Sequence, residues 1–187
     1  MSRGKPTPRS SAPPKGELTG ELAIQLVRAP GLLSHAIAWW GFGWNGDSHA
    51  DIVLPDGSLL GARSDAVRPV GGGDLIPPGV QVRPPGYGRW ERRTLFWKAV
   101  RSDLASRFHA AALAKIGTAY DRDGILRLIL GREPIDDGRD FCSCLALALL
   151  QEVGEIGPLY VQPQQVSPTA LGVILSALKW NRKELPV

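Results

Sequence analysis

Apolar and polar residues alternate through "ELAIQLVR", Glu21 to Arg28, and that period predicts a β-strand. The pattern then changes character. "LLSHAIAWWGFGWNG" reads as a short apolar helix running into a glycine-rich turn. "SHADIVLPDGSLLGARS", Ser48 to Ser64, is the clearest hairpin of the chain, two β-rich runs joined by Pro55, Asp56 and Gly57. From Val70 to Gly88 the repeated "GGG", "IPPG" and "RPPGYG" predict a surface loop with a short strand near Val80 to Val82.

"RRTLFWKAV" is the next strand, and Ser102 or Asp103 is placed to cap the helix "LASRFHAAALAKIG", which Gly117 stops. "YDRDGILRLILG" predicts a second, shorter helix ended by Gly131. "FCSCLALALLQEVG" is apolar almost all round and must be buried on all sides. "QVSPTALGVILSALKW" predicts a turn and a terminal helix, with Ser167 at its cap and Pro168 at its first position. The fold class is therefore α/β (α+β), with a small antiparallel sheet packed on the buried helix Cys142 to Val153. No internal repeat interrupts it.

Composition narrows the class. A chain of 187 residues, 43% hydrophobic and 21% charged, suits one domain able to close a core without staples. Residues 1–16, rich in Pro, Ser and Gly, have no hydrophobic period and read as a disordered or extended arm, leaving residues 17–187 as the domain. Two cysteines carry no disulfide framework, and the first thirty residues lack the apolar stretch of a secretory signal. Synthesis in a bacterial cytoplasm without a signal peptide fits this usage. No run approaches the ~20 apolar residues that span a bilayer. Of the 22 basic residues, Arg3, Lys5, Arg9 and Lys15 lie in the arm, which holds no acid, so the other 18 match the 18 acidic residues of the domain. A neutral body argues against nucleic acid as a partner.

The two cysteines, Cys142 and Cys144, stand at i and i+2 in the first turn of the most apolar helix, pointing in different directions, so they are poorly placed to bridge or to share a metal. With Asp140 as N-cap, Cys142 sits where the helix dipole and unpaired N–H groups favour a thiolate and hold a developing oxyanion. Cys144, about 200° around the helix, faces the packed core. Among the histidines, His109 belongs to an ordinary amphipathic helix and His35 to a short apolar stretch, whereas His49 opens a strand directly after "NGD" at the mouth of a turn, an element edge of the kind that carries function. "AWWGFGW", Ala38 to Trp44, reads first as core and second as a groove for glycan or lipid. "DRDG" lacks the later ligands of a calcium loop and "GGGD" lacks the Lys-Ser/Thr of a phosphate loop, so no metal and no cofactor is expected.

"ELAIQLVRAPGLLSHAIAWWGFGWNGDSHADIVLPDGSLLGAR", "IGTAYDRDGIL", "FCSCLALALLQEVG" and "VSPTAL" together resemble the circularly permuted NlpC-type, papain-like cysteine hydrolases, including those of tailed bacteriophages and prophages. The resemblance implies that His49 of "SHADIV" is the base, that Cys142 of "FCS" is the nucleophile and that Tyr120 of "GTAY" lines the active site. It implies cleavage of a peptidoglycan stem-peptide amide by an enzyme carried in a phage tail, with the arm contacting tail proteins. The polar residue that orients the imidazole in the family often lies about twelve positions after the histidine, and that position here is Gly61. Asp51, on the same strand face as His49, and Ser64 are the candidate substitutes. Cys144 stands where the family usually has glutamate. Gly61 favours a second function, a tail assembly module whose site has decayed, and the resemblance to permuted lipid acyltransferases implies a third, acyl transfer or thioester hydrolysis on lipid with the Trp cluster as the lipid site.

Overall fold

The computed structural model describes residues 19–42, 46–69, 72–130, 132 and 141–187. The expected arm therefore lies outside the described residues, as do Asp140, Gly131 and Trp44.

Six strands form one sheet: β1 (Gly20–Arg28), β2 (His49–Val53), β3 (Leu59–Arg63), β4 (Gly79–Arg83), β5 (Arg92–Val100) and β6 (Asn181–Leu185), in the order β4-β3-β2-β1-β5-β6. All five neighbouring pairs are antiparallel. Five helices complete the described α+β architecture: α1 (Leu32–Phe42), α2 (Ser102–Ala114), α3 (Arg122–Ile129), α4 (Cys142–Glu152) and α5 (Pro168–Ala177).

Period-2 burial explains how the sheet finds its core. Leu22, Ile24 and Leu26 on β1, Ala50 and Ile52 on β2, Leu60 and Ala62 on β3, and Phe96 on β5 form one cluster with Phe108 of α2, Leu145 and Leu149 of α4, and Leu171 and Leu175 of α5. Each fully buried Leu or Ile of this set contributes roughly 1.5–3 kcal/mol relative to exposure. Eight of the eleven residues of α4 are buried, as its apolar circumference predicts. The β2–β3 turn closes through Gly57 at φ +83°, with Leu54 N–H donating to Ser58 O at 2.8 Å.

Helix ends follow the sequence in part. Ser167 caps α5, its Oγ accepting from the Ala170 N–H at 3.1 Å, and Pro168 takes the first position. At α2, neither Ser102 nor Asp103 is the cap; the helix starts one turn position earlier, and Arg101 occupies the N-cap without a side-chain bond. At α4 the N-cap is Phe141, extended at φ −114°, ψ 167°, again with no side-chain cap. Asp121 of the "DRDG" stretch is buried at the start of α3, and its Oδ1 accepts from the Gly124 N–H at 2.7 Å. β6 is the element the hydrophobic pattern does not contain. "NRKEL" is an exposed edge strand held by pairing to β5 and by Thr94 Oγ1 donating to Glu184 Oε2 at 3.1 Å.

Candidate active site

β2 begins at His49, and the two-residue period of the strand places Asp51 on the same side. His49 Nε2 lies 2.8 Å from Asp51 Oδ1. The register Ile52↔Leu60, continued by one pair, sets Gly61 of β3 across from Asp51. A Cβ on Gly61 would stand 2.1 Å from Asp51 Oδ1, so a side chain at position 61 and the Asp51 carboxylate exclude each other. Position 61 thus offers the imidazole no side chain, and the Asp51 carboxylate reaches the same space from the neighbouring strand.

Tyr87, from the glycine- and proline-rich loop after β4, closes the arrangement. Its hydroxyl donates to Asp51 Oδ2 at 3.0 Å, and its oxygen lies 3.2 Å from His49 Nε2, so the imidazole N–H is shared between carboxylate and phenol. Arg83, fully buried, lies beneath them. It donates to the backbone oxygens of Gly61 at 2.7 Å and Gly79 at 3.3 Å, with its guanidinium 5.5 Å from the Tyr87 ring centroid. Trp90 lies nearly parallel to the His49 ring, centroids 6.5 Å apart, and edge-on to Tyr87 at 5.2 Å.

Cys142 is the first residue of α4, and its sulfur is near enough to the His49 imidazole to raise the pKa of the ring. With Nε2 engaged by Asp51 and Tyr87, Nδ1 is the nitrogen left for sulfur. Burial alone lowers the pKa of a histidine, and it is the largest influence on His49. The charges of Asp51 and Cys142 and the hydrogen bonds to both outweigh it and push the imidazole up to about 9. Asp51 is displaced in the opposite direction: burial raises a carboxyl, but His49, Arg83 and the Tyr87 hydroxyl together hold it below its ordinary value. The site thus favours an ion pair of imidazolium and carboxylate next to the thiol.

The remaining candidates separate cleanly. Tyr120 is partly buried against both core clusters and lines a small cleft of about 60 Å³ beside His49; burial and the nearby Cys142 sulfur hold its hydroxyl well above the usual phenol range. Ser64 lines the same cleft, but the imidazole's bonds go to Asp51 and Tyr87, and Ser64 contributes only its backbone oxygen to Arg122. Ser64 is thus not the orienter, because the strand pairing already delivers Asp51 to Nε2. Cys144 is buried in a satellite cluster with Ile37, Ile125 and Phe141, whereas Cys142 belongs to the main core, so the helix divides its two thiols the other way from the expectation. His35 pairs with Glu91 at 3.2 Å in an exposed position, and His109 sits at a boundary on α2 with burial lowering its pKa. Trp39 is 59% exposed, which removes it from the core that the aromatic run was expected to fill.

The helix end that carries Cys142 is fastened from below. Ser143 is fully buried and its Oγ donates to Val166 O at 2.7 Å. The first intrahelical bond runs from Leu145 N–H to Phe141 O at 2.9 Å, so the N–H groups of Cys142 and Ser143 have no partner inside the helix. Among the described residues no cluster of three or more His, Cys, Asp or Glu side chains is placed to hold a metal ion. No described helix is long and apolar enough to cross a membrane.

Tyr87, Arg83 and Trp90 carry no period or motif that sequence reasoning could use. The available signal was "YGRW" itself, two aromatic residues and an arginine inside a stretch whose prolines and glycines forbid regular structure. No protein-family model matches the chain, and no curated protein matches its sequence.

Proposed function

We propose that this chain is a cysteine hydrolase of the circularly permuted, NlpC-type papain-like class, cleaving an amide bond. The observation that carries the reading is that one imidazole, His49, is held at 2.8 Å by a carboxylate, Asp51, and has its pKa raised by the sulfur at the start of a buried helix, Cys142. Three groups so arranged are the parts of a nucleophile, its base and the orienter of that base.

The chemistry balances on these groups alone. With the proton already on His49, the Cys142 sulfur attacks the carbonyl carbon as a thiolate, and the carbonyl oxygen takes the negative charge. Backbone N–H groups at the α4 N-terminus, and the Tyr120 hydroxyl at the cleft, are the donors available to that oxyanion. The imidazolium returns the proton to the amine nitrogen as the C–N bond breaks, leaving a thioester on Cys142. Water, deprotonated by His49, then attacks the thioester carbon; the acid departs and the thiol is restored. Asp51 and Tyr87 hold the ring in position and stabilise its charged form throughout.

The substrate class follows from the sequence resemblance: a peptidoglycan stem peptide, opened locally by a protein of a phage tail. A decayed tail module was the alternative suggested by Gly61. The Asp51 carboxylate in the space beside that glycine supports the hydrolase reading over it.

The test is the rate of iodoacetamide alkylation of Cys142 against pH in a Cys144→Ser background, with and without His49→Ala. Alkylation titrating well below the free-cysteine value of about 8.5, and losing that depression in the His49 variant, supports the pair and leads to a peptidoglycan digest. A thiol that is inert, or indifferent to His49, overturns the reading.

A further inference from the structure

Next to the small cleft at His49 lies a larger groove of about 460 Å³, continuous with it through Ala29, Arg63 and Asp65. Its wall includes Tyr87 and Trp90, the residues that bond and cover the imidazole. Three arginines line it, Arg63, Arg68 and Arg89, against one acid, Asp65. In a domain whose charges otherwise balance, this excess is local.

The three arginines are not equivalent. Arg63 is already engaged: its Nε and Nη2 donate to the two Asp65 oxygens, both at 2.9 Å, and its guanidinium rests 5.6 Å from the Tyr87 ring and 5.8 Å from Trp90. Asp65, the one acid of the groove, is consumed by that pairing. Arg68 makes a single long bond, to Gly73 O at 3.3 Å. Arg89 is exposed, and among the described residues no carboxylate or carbonyl is bonded to it. Two arginines bonded to no carboxylate thus line a groove whose aromatic wall includes Tyr87 and Trp90.

We propose that this groove binds a free carboxylate of the substrate through Arg68 and Arg89, making the enzyme selective for acidic peptides. The inference rests on the hydrolase reading and adds the charge of the substrate to it. A guanidinium recognises a carboxylate by paired N–H···O bonds in a fixed plane, which a neutral amide cannot reproduce. Trp90, with its ring centroid 6.5 Å from that of His49, joins groove to reacting centre.

The test uses the full chain with Cys142→Ala, so that nothing is turned over. It is titrated with N-acetyl-L-alanyl-γ-D-glutamyl-L-lysine amide, carrying the glutamyl α-carboxylate either free or amidated, and binding is followed on the Trp90 indole N–H resonance. The free carboxylate is expected to bind about tenfold more tightly at low salt, the size of a charged hydrogen-bond pair. That preference should shrink as salt rises and disappear in Arg68→Gln/Arg89→Gln. Equal binding of the two peptides, a preference that survives the double substitution, or binding of neither peptide overturns the proposal. Its failure is distinct from failure of the hydrolase reading. A reactive Cys142 with no carboxylate preference removes the groove assignment alone; a clear preference beside an inert thiol removes the hydrolase alone.

Discussion

Gly61 and Asp51 occupy one position between them: the Cβ that the glycine lacks would fall 2.1 Å from the aspartate Oδ1 that bonds the imidazole. The carboxylate that bonds the imidazole comes from β2, and the glycine across from it on β3 leaves the space that it fills. Gly61→Ala is therefore expected to turn Asp51 away from His49. The overpacking cost is roughly 1–3 kcal/mol in the unfolding free energy. The same variant should alkylate Cys142 more slowly near neutral pH, read by mass spectrometry against the parent chain.

The pH dependence of stability has a defined sign. His49 is raised from 6.5 in the unfolded chain to about 9 in the folded protein, so its contribution is complete below pH 6.5 and disappears as pH rises through about 9. The span corresponds to a contribution on the order of 3 kcal/mol. Asp51 runs the other way: held below its ordinary value, it stabilises above that value and ceases to do so as acid protonates it in the fold. Urea unfolding between pH 6 and 9.5 should show the decline, and Asp51→Asn should flatten it. A decline of the same size in Asp51→Asn would show that the carboxylate does not set the histidine.

Tyr87→Phe keeps the ring that packs on Trp90 and removes only the hydroxyl. Asp51 Oδ2 then loses its donor inside a buried site, at a cost of about 1–3 kcal/mol. The acid limb of the stability curve should move to higher pH, because the hydroxyl is one of the groups keeping Asp51 ionised. An unchanged acid limb would assign Tyr87 to packing alone.

Ser143→Ala breaks the buried bond to Val166 O and leaves that carbonyl without its partner. The expected loss is about 1–3 kcal/mol. Cys142 alkylation should slow as well, since Ser143 fixes the turn on which the thiol stands. Ser167→Ala, which removes only the cap of α5, is the control: about 1 kcal/mol of stability, with the Cys142 rate unchanged.

Much of this arrangement was legible in the chain because it depends on local periods. Strand alternation gave β1, the β2–β3 hairpin and β5, and the apolar circumference of "FCSCLALALLQE" gave a buried helix with a cysteine at its start. His49 was legible as a strand opening, and Asp51 as its neighbour two residues on. β6 was not, because an exposed edge strand buries nothing and leaves no hydrophobic trace; its polar "NRKEL" is held by backbone pairing to β5. Tyr87 and Arg83 were invisible for a different reason. Their contacts around the imidazole lie 22 to 38 residues away, and neither the end of a short strand nor the loop after it carries a period from which such contacts can be read. Gly61 was read as a missing side chain, whereas its meaning appears only when the neighbouring strand is laid beside it.

Apart from the thiol, the groups gathered around the imidazole (Asp51, Gly61, Arg83, Tyr87 and Trp90) come from one continuous run of sequence that is complete by residue 90, while the sulfur arrives at residue 142. A ribosome reading this message therefore makes His49 and these five residues about fifty residues before it adds the sulfur. The core beneath them closes only when α4 and α5 arrive, because the sheet packs on those helices. In the hydrolase proposed here, reactivity is the last property the growing polypeptide acquires.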